Sequence, residues 1–185
     1  MKTRVMLLMA GSVPWVLGLS LSALRADVTD SSATGFSIKK TLTIKASRAA
    51  VYEALTAAIG SWWDSGHTYS GSSRNLFLET KANGCFCERL KGGGSVRHLT
   101  VVYVDPGKAL RLSGGLGPLQ VMAVTGSMSW VLSEAGPDTK LEFVYVVGGY
   151  TPEGLTGMAA AVDRVLSGQL DRLKNYAETG SPEGP

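Results

Sequence analysis

The residues of this chain that can do chemistry are few: Asp64 and His67, Glu88 and His98, Cys85 and Cys87. A carboxylate that orients an imidazole is one way to build a general base with a pKa near working pH. Asp64 and His67 stand three apart in a loop-like stretch and offer that pair; a solvated loop pair with no chemical role has the same spacing. Glu88 and His98 offer it across neighbouring strands. If Phe86 and Leu90 face inward, so does Glu88, and His98 shares a face with Val96, Val102 and Val104. The pair then lies inside a pocket; in the opposite register it decorates a solvent face. Arg89 and Arg111 lie on strands of the same kind. Whichever of these charged groups points inward must be paired or solvated there.

Cys85-Phe86-Cys87 sets two sulfurs on one face of a strand. Three readings stay open. The thiolates ligate a soft metal with His98 or His67, although a closed site wants four ligands. They form a labile disulfide in an oxidising compartment. Or they pack as small apolar groups. The sequence therefore assigns no metal site and no cofactor, with Cys85 and Cys87 the metal candidates. For an apolar ligand the candidate contacts are Trp62, Trp63, Tyr69, Phe86, Met128, Trp130, Met158 and Val162. Aromatic rings bury much area, and Trp and Tyr keep a polar handle. Trp62, Trp63 and Tyr69 read either as a gate at a cavity mouth or, for the Trp pair, as a plug at the core end of short helices.

A set of strands and one helix must position these groups. From Pro152 to Glu178, Leu155, Met158, Ala159, Val162, Val165, Leu166, Leu170, Leu173 and Tyr176 form one apolar stripe at helical spacing. Thr151 is placed to cap that helix, Pro152 to open it, and Gly180 and Pro182 to end it. Gly157 and Gly168 each cost about 1 kcal/mol of helix propensity, and read as room for a ligand, as close sheet packing, or as tolerated weakness. Before the helix, Phe36 to Ala46 alternates as a strand, with Phe36, Ile38, Leu42 and Ile44 on one face and Lys40 breaking the inward pattern. Ser47 caps a short helix that Gly60 ends, and a second short helix or turn leads into the loop to Gly71. Strands follow over 76–81, 85–90, 96–104, 109–114, 121–133 and 140–147. The turns between them include Asn83-Gly84 and Asp105-Pro106-Gly107-Lys108. Connections this short force antiparallel neighbours. The expected fold is α+β: a curved antiparallel seven-stranded sheet, two short helices, and one long C-terminal helix that encloses a cavity.

Residues 1–26 read as a secretory signal peptide, with Lys2 and Arg4 before an apolar run and Ala26 at a cut site. The run is shorter than the ~20 residues of a spanning helix. The expected location is periplasmic or secreted, with no stable membrane span once the signal is removed. Residues 27–35 read as a flexible lead-in, 36–178 as the domain and 179–185 as a disordered tail. Three of the 18 basic residues lie in the signal, which holds no acid, so the remainder balances the 15 acidic residues. A neutral domain without a basic run gives no reason to propose nucleic acid as a partner. There is no nucleotide-binding glycine fingerprint, no His-Glu-x-x-His and no Gly-x-Ser-x-Gly.

From Ile44 to Leu55, at Trp62-Trp63-Asp64, in the tryptophan strand Gly126 to Trp130 and in the closing helix, the chain resembles the START-like, helix-grip superfamily (SRPBCC), with its lipid-transfer domains and polyketide cyclase/dehydrase members. The resemblance covers roughly Phe36 to Tyr176. It implies a ligand cavity by analogy. On that basis the leading expectation is an exported domain that binds or carries a hydrophobic small molecule between sheet and C-terminal helix. One alternative is a cyclase, dehydratase or isomerase that works on such a molecule by acid–base chemistry. The other is an interaction module without a cavity, docking through the 62–69 loop. Ligand identity and oligomeric state are not encoded legibly.

Overall fold

The structure is a computed structural model that describes residues 27–184; the reading of 1–26 as a signal lies outside them. Eight strands and three α-helices follow one another as β1 (Asp27–Ser32), β2 (Gly35–Ile44), α1 (Arg48–Thr56), α2 (Ile59–Trp62), β3 (Leu76–Leu78), β4 (Cys85–Arg89), β5 (Ser95–Asp105), β6 (Ala109–Ser113), β7 (Ala123–Ala135), β8 (Asp138–Tyr150) and α3 (Thr156–Thr179). The strands form one antiparallel sheet in the order β1-β2-β8-β7-β6-β5-β4-β3. Sequence neighbours pair throughout except at β2, which pairs with β8.

The sheet has eight strands and not the expected seven. The extra one is β1, where the sequence reads as a lead-in. Its polar side chains give no alternation to detect; it is an edge strand held by backbone pairing to β2, with a bulge between Val28 and Asp30. Residues 181–184 are not a free tail. Asn175 Nδ2 donates to the Pro182 carbonyl, and Glu183 pairs with Arg172 at 2.7 Å.

In β2 the side chains of Phe36, Ile38, Lys40, Leu42 and Ile44 all turn inward and are buried. Lys40 keeps the alternation and is accommodated by Asp171 of α3, whose Oδ1 lies 3.1 Å from its Nζ. That ion pair joins the sheet to the helix crossing it. Ser47 caps α1 by accepting from the Ala50 amide. α1 stops at Thr56, and Gly60 sits inside α2 because a Cβ there would stand 2.9 Å from the Ser73 carbonyl. α3 begins at Thr156, later than the Thr151-Pro152 signal, because Gly154 in the left-handed region at φ 69° turns the chain there and Leu155 takes the N-cap position. Gly180, in the left-handed region at φ 79°, ends α3 and donates its N–H to the Tyr176 carbonyl.

α3 packs over β1 and β2 and against α1 and α2. From Leu166 onward it buries Leu166, Leu170 and Leu173 completely, whereas before that point Ala159 is buried but Met158, Val162 and Val165 stay only half-buried. The same stripe therefore meets the core at one end and leaves a gap at the other. Gly157 and Gly168 do not mark close packing, for a Cβ at either would meet nothing within 4 Å.

Candidate functional site

The gap under α3 is a pocket of about 400 Å³. Met158, Ala161, Val162, Val165 and Leu166 roof it. Trp63 and the segment Gly66–Tyr69 form one wall, Phe86 of β4 and His98 of β5 the floor, and Leu116–Pro118 the far side. Phe86 reaches the floor by the strand alternation the sequence shows. His98 arrives differently. Phe86 pairs with Leu99 and Cys87 with Arg97, so His98 is the extra residue of a β-bulge. A bulge re-aims one side chain without ending the ladder, and here it buries His98 and Leu99 side by side.

A second bulge at Val102 shifts the parity of β5 again. The shared face expected for His98, Val96, Val102 and Val104 is therefore broken, and Val102 is about half exposed. Glu88 does follow Phe86 inward. Arg89 and Arg111 point outward, the first over the Phe77 ring, the second over Tyr103.

Glu88 and His98 meet. Glu88 is 0% exposed, and its Oε2 lies 3.0 Å from His98 Nε2. The carboxylate also accepts the backbone amides of Tyr69 and Ser70 at 3.0 and 2.5 Å, which pins the loop wall to β4. Burial pushes its pKa up, but the Ser70, Tyr69 and His98 donors together outweigh burial and hold it below its ordinary value. Burial pushes His98 down more than Glu88 lifts it. A carboxylate can only accept, so His98 Nε2 carries the ring proton and Nδ1 presents a lone pair. That Nδ1 is buried and has no partner in the protein. The imidazole is flanked by the rings of Phe86 and Tyr69, with centroids 5.0 and 5.9 Å away.

A second carboxylate–imidazole pair stands at the rim. His67 Nδ1 lies 2.8 Å from Asp64 Oδ2, and both side chains are substantially exposed. The Gly66 amide above all, then His67, hold the Asp64 carboxyl below its ordinary value against its partial burial. Gln169 of α3, itself buried, accepts from the Asp64 amide at 2.9 Å, and Arg172 Nε donates to the Trp62 carbonyl. The loop is thus tied to α3 on one side and to β4 on the other. The sequence reading missed Gln169, a polar residue beside the apolar stripe. Leu116–Pro118, between the strands read at 109–114 and 121–133, was missed as well.

The structure divides the expected ligand contacts. Trp63, Tyr69, Phe86, Met158 and Val162 line the pocket. Trp62, Met128 and Trp130 do not: they are core residues. The Trp62 indole N–H donates to the Ala54 carbonyl at 2.7 Å, and Trp130 lies edge-on to Phe143 with ring centroids 4.6 Å apart. Met128 sits between its cross-strand partners Leu112 and Tyr145. Gly126 makes room for that Tyr145, since a Cβ there would approach the ring to 2.6 Å. The 62–69 loop exposes a single large ring, Tyr69, so the broad aromatic patch that an interaction module would dock through is not there.

Cys85 and Cys87 are joined as a disulfide, with S–S 2.05 Å. Of the three readings this is the oxidised one; bonded sulfurs are neither metal ligands nor free thiols. Among the described residues no group of three or more His, Cys, Asp or Glu is gathered to hold a metal. No helix among them is long and apolar enough to cross a membrane.

Comparison with known proteins places this architecture. The family model for polyketide cyclase/dehydrase and lipid transport matches residues 35–178. A conserved protein of unknown function from Enterococcus faecalis superposes with a TM-score of 0.56 at 20% identity, covering 80% of this chain and 74% of that one. The Aha1 dimer from Colwellia psychrerythraea gives 0.52 at 19%, covering 78% and 97%. CalU16 from Micromonospora echinospora gives 0.50 at 21%, covering 80% and 79%. Identities this low speak to the fold alone. No curated protein matches the chain in sequence.

Proposed function

The chain belongs to the polyketide cyclase/dehydrase and lipid transport family, and on that premise we infer that it binds an apolar small molecule in the pocket beneath α3. One observation carries the reading. The stripe of α3 keeps Met158, Val162 and Val165 half-buried, facing Trp63 and Phe86 across about 400 Å³. Ligand sites are typically ~300–1,000 Å³, mainly apolar, with a few placed polar groups. Val162→Trp fills that space from the roof. It is expected to abolish binding of a neutral fluorescent probe such as N-phenyl-1-naphthylamine while leaving the melting temperature within a few degrees. Wild-type protein that neither takes up the probe nor carries an apolar species in native mass spectrometry would overturn the reading.

We also hold the domain to be exported. The basic and apolar pattern of residues 1–26 supports this, and so does the bond between Cys85 and Cys87, because disulfides persist in oxidising compartments. A second function has support from the Glu88–His98 pair: acid–base catalysis of cyclisation, dehydration or isomerisation on the bound molecule. A buried neutral imidazole set by a carboxylate is suited to take a proton. Turnover of an apolar carbonyl compound lost in His98→Phe, with the compound still bound, is the result that would favour catalysis over carriage.

A further inference from the structure

We propose that the pocket selects an apolar molecule bearing one weakly acidic hydroxyl, and that this hydroxyl donates its hydrogen bond to His98 Nδ1. The inference rests on the pocket reading and deepens it by naming the ligand's polar group. Every other polar atom of the pair is already satisfied. Glu88 accepts from Tyr69, Ser70 and His98, and His98 Nε2 spends its proton on Glu88. Nδ1 alone is left, buried and without a partner, on a side chain that lines the pocket. A buried acceptor left unpaired is costly, and a partner that arrives with a ligand removes that cost.

The partner must be a donor, because the tautomer leaves Nδ1 only a lone pair. It must be carried on an apolar body, because the pocket that His98 lines is walled mainly by apolar groups, Phe86, Trp63, Val162, Val165 and Leu116 among them. A weakly acidic hydroxyl, phenolic or enolic, donates more strongly than an alcohol while entering the pocket neutral. A carboxylate or a cation fits less well, because the roof is apolar and a charge brought beneath it loses its water. Glu88 is the positioning residue: it never reaches the ligand but decides which ring nitrogen holds the proton. Tyr69, about half exposed and lying over the imidazole, is the group that yields as the hydroxyl enters.

The test compares two probes of one shape, 2-naphthol and 2-methoxynaphthalene, by calorimetry on the full folded domain at pH 7.5. The wild type is expected to bind the naphthol about tenfold more tightly than the ether, the gain of one buried hydrogen bond. His98→Phe should bind both alike. Glu88→Gln provides the discriminating result. Its amide can donate to Nε2, which moves the ring proton to Nδ1, so the preference should shrink or reverse toward the ether. A loss of packing alone would weaken both probes together and leave their ratio unchanged.

If the wild type binds both probes equally, the hydroxyl assignment fails and the pocket stands. If it binds neither, the pocket reading fails as well. A naphthol preference that persists in His98→Phe also overturns the assignment. The wild-type comparison needs no variant, so a substitution that fails to fold leaves the proposal testable.

Discussion

Acid should destabilise this protein partly through His98. Its pKa in the folded chain lies below its ordinary 6.5 because burial disfavours the charged ring. Below 6.5 the unfolded chain therefore binds the proton that the folded chain refuses. Its contribution to stability is full above that pH and is lost as the pH falls toward the folded value. Glu88, also lowered, adds a further loss beginning near its ordinary 4.5. The thermal midpoint should decline from pH 6.5 downward, and His98→Phe should flatten the first part of that decline. Tyr145 works at the other end of the scale. Burial pushes its phenol up to about 12, against the Leu116 amide that donates to it. The unfolded phenol ionises from its ordinary 10.0, so stability should fall as pH rises above that value. Tyr145→Phe should remove the alkaline loss yet cost about 1–2 kcal/mol at neutral pH, because Leu116 N–H and Gly114 C=O lose their shared partner.

At the scale of elements, α3 is the part most legible in the chain. Its stripe is long and regular, and even the gap beneath it has a trace in Met158, Val162 and Val165, apolar residues with too little opposite them to bury. Gly168 is exposed on the outer face of this helix, where an added Cβ meets open space. Gly168→Ala should therefore stabilise the fold by about 0.5–1 kcal/mol through helix propensity alone, read as a rise in the denaturant midpoint. β5 was legible only in outline. The inward turn of Glu88 follows from alternation past Phe86, but the route of His98 does not. Two bulges move the parity of β5, and a bulge is a choice between partners on another strand that a local pattern of Val and Thr does not record. The alternation leaves the meeting of Glu88 and His98 as one of two registers, and the structure brings them together through a bulge instead. β1 left no trace because it is held by main-chain pairing and by the Thr29 and Ser32 hydroxyls donating to the Ser37 and Gly35 carbonyls, which ask for no apolar alternation.

For the whole molecule, the proposal of export carries a consequence for the Cys85–Cys87 pair, because disulfides persist where thiols are oxidised. Protein recovered from its native host compartment should show no free thiol when denatured, although the sequence holds two cysteines. Two titratable thiols in that material would count against export. The pairing of β2 with β8 also sets the order in which the chain can fold. Lys40 of β2 finds Phe143 of β8, and α3, which must settle over both, comes later still. Contacts so distant along the chain form slowly. Until β8 is made, the β1–β2 hairpin has an apolar face and nothing to lay it on, so this edge of the sheet and the helix over it are the last parts able to assemble.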